Sequence, residues 1–411
     1  MNTLNERELI YDWNVHDSAW KPNHPVEFDD ETLRDGLQSP SVTDPSIFNK
    51  MRMLHHMHTL GIQAANLGLP GAGPRARADV LALAKEIVAS KLKIFPNCAA
   101  RTVEADIIPI VEVVQEVGIP IEAATFLGSS PIRLYAESWE VDFLRRTVEK
   151  AVSFVVKQGL PAMFVTEDTI RSHPDTVRLL YQTAVQCGAR RVVVCDTVGH
   201  ATPSGVRALI KFVRSAVHEI DASVKVDWHG HKDRGLSVIN TLAAIEAGAD
   251  RVHGTILGIG ERVGNAPLDL VLVNCKLLEW IANDLTHLQA YCDLVSQECG
   301  VAIPPNYPVF GRDAFRTGTG VHAAAIIKAK HKGEDWLADR VYSGVPAGWF
   351  GRSQEIEIGH MSGESNVIYW LKANGHEPTR ARINAIFAKA KSVNRNLTDA
   401  EIHEAMRAAA E

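Results

Sequence analysis

The chain has 411 residues, 46% apolar and 22% charged, an ordinary globular composition with room for one large domain and a smaller one. A formal net charge of −6 argues against nucleic acid as the main partner, because a phosphate-binding surface usually makes a domain basic. No apolar run approaches the roughly 18 residues of a membrane span, and the opening "MNTLNERELIYDW" lacks the apolar core of a signal peptide. None of the six cysteines (Cys98, Cys187, Cys195, Cys275, Cys292 and Cys299) forms a Cys-x-x-Cys pair, which speaks against a cysteine zinc site. The expectation is a cytoplasmic protein with free thiols.

In chain order, short β-rich runs begin with "VEFDDET" and "IQAANLGLP". "LKIFPNC", "IEAATFLG", "AMFVTED", "RVVVCDT", "VKVDWHGH" and "RVHGTILG" follow, eight runs in all. Most gaps carry an amphipathic helical pattern, as in "ADVLALAKEIVAS" and "SGVRALIKFVRSAVHEI". Strands alternating with helices predict parallel βαβ units, and eight of them predict a (β/α)8 TIM barrel over residues 1–285. A doubly wound open sheet is the alternative, but it would more often show a glycine-rich phosphate turn after its first strand. Beyond about residue 275 the pattern changes. "CKLLEWIANDLTHLQAYCDLVSQECG" reads as helix, "VAIPPNYPVFGRDAF" as a linker or docking arm, and the rest as short helices and loops. A linker and a smaller C-terminal helical region are therefore expected over 286–411.

Polar residues gather where these strands end: Arg34-Asp35, Asn97, Thr125, Thr166-Glu167-Asp168, Asp196-Thr197, His229-x-His231 and Thr255. In a barrel these ends share one face, where active sites are built. Turn residues and helix caps account for some of them. They do not readily account for two histidines and an Arg-Asp pair.

His229 and His231 stand at i and i+2, which on a strand puts both imidazoles on one face. That suits a divalent metal; a hydrogen-bonded pair in a turn is the other reading. Asp35 at the end of the first strand would add a carboxylate, and Asn265 in "GTILGIGERVGN" an amide oxygen, the glycines letting that loop fold back over the site. A guanidinium beside a metal makes sense if Arg34 meets a substrate oxygen that becomes negative. Simple pairing of Arg34 with Glu167 or Asp35 is the alternative. Gly36 would let the chain turn away beneath them.

"DETLRDGLQSP", "HGHKDRG" with Asn240 downstream, and "GTILGIGERVGN" together resemble the family of 2-isopropylmalate, homocitrate and citramalate synthases, more distantly related to 3-hydroxy-3-methylglutaryl-CoA lyase. "FVTEDTIRSHPD", "DTVGHATP" and "GTGVHAAAIIKA" match in the same order, so the resemblance spans nearly the whole chain. It implies a TIM-barrel acyltransferase that condenses acetyl-CoA with a 2-oxo acid, here in the manner of 2-isopropylmalate synthase. A divalent metal (Mg, Mn or Zn) would be held by Asp35, His229 and His231, with Asn265 as a fourth ligand or close by. Arg34 matches the catalytic arginine, Thr197 a residue that holds the oxo-acid carboxylate, and Glu167 an acidic residue of the acyl pocket. Gln38 of the first motif is a further substrate-binding candidate. His322 matches a C-terminal histidine that takes part in proton transfer, and Tyr342 its tyrosine partner. In relatives that histidine serves the other subunit, which implies a homodimer.

Three departures bear on the substrate. The loop after the eighth strand lacks the cysteine of the lyases, which favours a synthase over a lyase or aldolase. Val165 stands where the synthases commonly have a serine. After "HMSGESNVIYWL" only about 40 residues remain, too few for a leucine-binding regulatory domain. Arg133 in "TFLGSSPIRLYAES" would suit a second substrate carboxylate, or else pairs with Glu137 or faces solvent.

Overall fold

The structure, a computed structural model, describes residues 6–15 and 21–409; the first five residues of the opening segment lie outside this range. Eight strands form a closed parallel barrel in sequence order: Glu27–Asp30 (β1), Ala64–Asn66 (β2), Phe95–Arg101 (β3), Glu122–Gly128 (β4), Ala162–Glu167 (β5), Arg191–Asp196 (β6), Lys225–Gly230 (β7) and Arg251–Gly254 (β8). β1 closes the ring on β8, with Glu27 to Asp30 opposite Arg251 to Gly254. This is the (β/α)8 barrel that the alternation of patterns predicts.

Its helices follow from sequence. Pro203–His218 starts with Pro at its first position, and Thr202 caps it by accepting from Gly205 N. Val206, Ile210, Val213 and Val217 then recur on one face and are buried. Pro74–Ala89 does the same with Val80, Leu83, Ala84 and Ile87.

The barrel interior is unusual. A TIM barrel is ordinarily filled by branched apolar side chains. Here Arg251 on β8 donates from Nε to Asp227 on β7 (2.7 Å) and from Nη2 to Glu122 on β4 (2.9 Å). β4 and β8 lie on opposite sides of the ring, so this contact crosses the lumen. Arg191 on β6 adds Asp227 at 2.6 Å, His253 reaches Asp227 at 3.0 Å, and Asn97 donates to Asp29 at 2.8 Å. The period of two along a strand fixes the membership: Asp227 and His229, Arg251 and His253, and Asp29 and Glu31 each share a side. Ala124, Met163, Val193 and Cys195 form a small apolar cluster against which Val165 packs.

The chain divides into two compact units, and the barrel unit runs to Ala302, past the boundary expected at residue 285. Helix Leu288–Cys299 belongs with it: the Tyr291 hydroxyl donates to Asp30 (3.0 Å), and Thr43 N donates to the carbonyl of Cys299 (2.9 Å). The second unit holds residues from Ile303 onward together with the described residues 6–15. It is mainly helical, built on Gly320–His331, Asp335–Arg340, Glu364–Ala373, Arg380–Lys391 and Asp399–Ala408. Val367, Leu371, Ile386 and Ile402 are among its core residues. No helix among the described residues is long and apolar enough to cross a membrane.

Candidate active site

β1 ends in a tight turn. Glu31 N still donates to Gly254 on β8, after which Arg34 N and Gly36 N both donate to the Glu31 carbonyl. This folds Glu31, Arg34 and Asp35 into one cluster at the barrel mouth. Gly36 is not in a left-handed conformation. Its reason is close packing, since a Cβ there would lie 3.1 Å from Ile259 of the loop after β8. Glycine freedom is needed instead at Gly260, with φ of 143°, where a Cβ would fall 2.1 Å from Asn265 Nδ2 and 2.8 Å from Asp35 Oδ1.

The expected ligand set converges. The Nε2 atoms of His229 and His231 are 3.2 Å apart, and each lies 3.9 Å from Asp35 Oδ2. One donor atom from each of the three lies within 4.8 Å of the others, and all three residues are buried. Asn265 Nδ2 donates to Asp35 Oδ1 at 2.7 Å, which leaves its buried Oδ1 without a hydrogen-bond partner. Two imidazoles, a carboxylate and an orphaned amide oxygen are donors that fit a divalent cation. Electrostatics agree. Burial and neighbouring His229 lower the pKa of His231 to about 4, so its imidazole is uncharged at neutral pH. Burial alone would raise the Asp35 carboxyl, but Arg34, His229 and His231 hold it below the usual range.

Arg34 pairs with two carboxylates. Nη1 donates to Asp35 Oδ2 at 2.9 Å, and Nη2 meets Glu31 Oε1 at 2.7 Å. Its buried Nε has no partner. The pairing with Asp35 that sequence left open is therefore real, and it puts the guanidinium on the same oxygen that faces both histidines. Glu31 Oε2 in turn lies 2.8 Å from His229 Nδ1.

The Thr197 hydroxyl accepts from Asp168 N (2.8 Å) and keeps its own hydrogen to donate, while Arg262, paired with Asp233, ties its carbonyl to the loop after β8. Glu167 ends β5; burial raises its pKa against the opposing charges of Arg133 and Arg34. Arg133 pairs with Glu137 at 3.1 Å, is about half exposed, and packs over Gly128. Gln38 closes the turn Gly36–Gln38 with an exposed side chain. His322 and Tyr342 lie in the second unit, their rings stacked 4.2 Å apart. Asn97, Thr125, Thr166, Thr255 and Asn240 are occupied with hydrogen bonds inside the scaffold.

Sequence reading missed Glu31, His253 and Asn66. Asn66 donates to Glu31 at 3.3 Å. The available signal was spacing: Glu31 falls two residues after Asp29 and three before Arg34, and His253 two after Arg251.

A family model described as HMGL-like matches residues 25–295. The chain is 32% identical over 368 residues to a homocitrate synthase of Sulfolobus acidocaldarius, covering 88% of this chain and 74% of that one. It is 31% identical over 387 residues to a 2-isopropylmalate synthase of Lactococcus lactis subsp. cremoris, covering 92% and 72%. Among solved structures, a hydroxymethylglutaryl-CoA lyase from Pseudomonas aeruginosa shares the fold at a TM-score of 0.55 and 18% identity, over 68% of this chain and 94% of that one.

Proposed function

The chain belongs to the HMGL-like family, and from that premise we propose that it is an acyltransferase that condenses acetyl-CoA with a 2-oxo acid. The observation that carries the reading is one shared atom: Asp35 Oδ2 faces His229 and His231 and also receives Arg34. A divalent cation (Mg, Mn or Zn) held by Asp35, His229 and His231, with Asn265 as fourth protein ligand, would supply Lewis-acid polarisation of the keto oxygen.

The chain's own residues do the rest. Thr197 donates its free hydrogen to the oxo-acid carboxylate and orients the keto carbon. A proton leaves the acetyl methyl group, the resulting carbanion forms a carbon–carbon bond with the keto carbon, and the keto oxygen takes up the negative charge. Arg34 donates to that oxygen, a charge-assisted bond stronger in the transition state than in the ground state. Water then cleaves the thioester to give a 2-hydroxy diacid and free CoA. Glu167, with its raised pKa, is the acidic group proposed for the acyl pocket. His322 with Tyr342, delivered across a homodimer, is proposed to take the methyl proton and return one to the keto oxygen, which becomes the product hydroxyl; this rests on the resemblance and on the stacking of the two rings. A cytoplasmic location agrees with six free cysteines.

Charge supports the scheme. Arg34 offsets one of the two carboxylates, so a dication leaves the cluster with one surplus positive charge, which the substrate carboxylate cancels. For the variable end of the oxo acid, Arg133 is already paired with Glu137, and Val165 joins an apolar cluster. Both favour a branched apolar chain, a 2-isopropylmalate synthase-like reaction in leucine biosynthesis. Thiol release from acetyl-CoA with pyruvate, 2-oxoisovalerate, oxaloacetate or 2-oxoglutarate, in added Mg, Mn or Zn, tests this. 2-Oxoisovalerate should win. A dicarboxylic winner would give Arg133 a substrate role in a homocitrate- or citrate-forming enzyme. Silence across the panel would point to a lyase or aldolase.

A further inference from the structure

Three groups at the barrel mouth depend on one side chain that the mechanism above does not use. Glu31 is 3% exposed; its Oε1 is engaged, while its buried Oε2 makes no hydrogen bond of good geometry and lies close to His229. Oε1 meets Arg34 Nη2 at 2.7 Å and also receives Asn66 Nδ2 at 3.3 Å. Oε2 faces His229 Nδ1 at 2.8 Å. We propose that Glu31 is a positioning residue that fixes His229 in the tautomer able to bind a cation through Nε2 and holds Arg34 beside it. The inference rests on the reading of Asp35, His229 and His231 as a cation site.

The chemistry is that of a carboxylate behind a ligating histidine. A neutral imidazole carries one hydrogen, and the nitrogen that holds it is set by its partner. A carboxylate accepts only, so Nδ1 facing Glu31 must carry the hydrogen, and the lone pair is left on Nε2. The same carboxylate takes a guanidinium hydrogen on its other oxygen. Glu31 thus links the ligand to the arginine, and a shift in one is felt by the other.

Glu31, His229 and His253 also lie close enough to suggest a second cation site. Geometry speaks against it. Both ring nitrogens of His253 face carboxylates, Nδ1 at 3.4 Å from Glu31 and Nε2 at 3.0 Å from Asp227, so neither is aimed as a lone pair at a cation. The Glu31 oxygen on that side already carries Arg34. The second group is the support of the first.

The test compares wild type with Glu31→Gln and Glu31→Asp, using Zn(II) or Co(II) titration by calorimetry and imidazole 15N shifts of His229. Gln keeps the shape, but its NH2 must face either the guanidinium or the Nδ1 hydrogen. It should weaken cation binding about 10- to 100-fold and move the His229 hydrogen to Nε2 in the cation-free protein. The kcat should fall while KM for acetyl-CoA holds. Asp, one methylene shorter, should recover part of the loss by serving one partner. If Gln binds the cation as wild type does, with an unchanged His229 tautomer, Glu31 has no positioning role and the cation site stands. If wild type binds no cation, the site reading fails and this inference with it.

Discussion

At the scale of residues, Arg34 is central. A guanidinium beside a dication would be repelled, and the structure shows why it can stay: Glu31 and Asp35 lie on either side of it. Burial alone would lower the Arg34 pKa, but these two carboxylates more than restore it, so the charge is permanent. Arg34→Ala should keep the fold and bound cation yet lose about 10²- to 10³-fold in kcat, the usual effect of removing one oxyanion donor. Near-normal turnover would end its proposed role. Arg34, Asp35, His229 and His231 were legible because their types are hard to explain as turn chemistry at strand ends. Glu31 was not, since an acid before a turn reads as solvated until the fold puts a histidine and an arginine on it. Asn265 was legible only as a candidate; its orphaned Oδ1 is a structural fact.

At the scale of elements, the eight strands could be read because buried parallel strands appear as short apolar runs with polar ends. The charged filling of the barrel could not. It needs to be known which alternate residues face inward and that β4 and β8 oppose each other across the lumen. This filling gives a pH prediction. Burial would lower the His253 pKa, but hydrogen bonds to Asp227 and Glu31 and the charge of Asp29 raise it to about 9. A raised histidine stabilises the fold fully below its unfolded pKa of about 6.5 and loses that contribution as pH rises through 9. Stability to denaturant should therefore fall by up to about 3 kcal/mol across that window. His253→Gln should lack this descent and be less stable at pH 6, because it removes one positive charge from among the buried Asp29, Glu31 and Asp227. A variant with the same slope as wild type would contradict the assignment.

At the scale of the whole molecule, sequence placed the end of the barrel too early. Helix Leu288–Cys299 was read as a helix, but nothing in its pattern revealed that Tyr291 bonds Asp30 at the end of β1. The smaller helical unit carries the stacked His322 and Tyr342, a pair that only the motif had singled out. Barrel mouth, candidate cation donors and arginine are together suited to a chemistry in which a carbon–carbon bond forms at a carbonyl whose oxygen turns negative. The most direct measurement is the stoichiometry of that event. Wild-type protein with a divalent cation, acetyl-CoA and its preferred 2-oxo acid should release one thiol for each oxo acid consumed and each 2-hydroxy diacid formed, and release none without the oxo acid. Thiol release that is indifferent to the oxo acid, or turnover seen only as cleavage of a 2-hydroxy acid, would contradict the condensation.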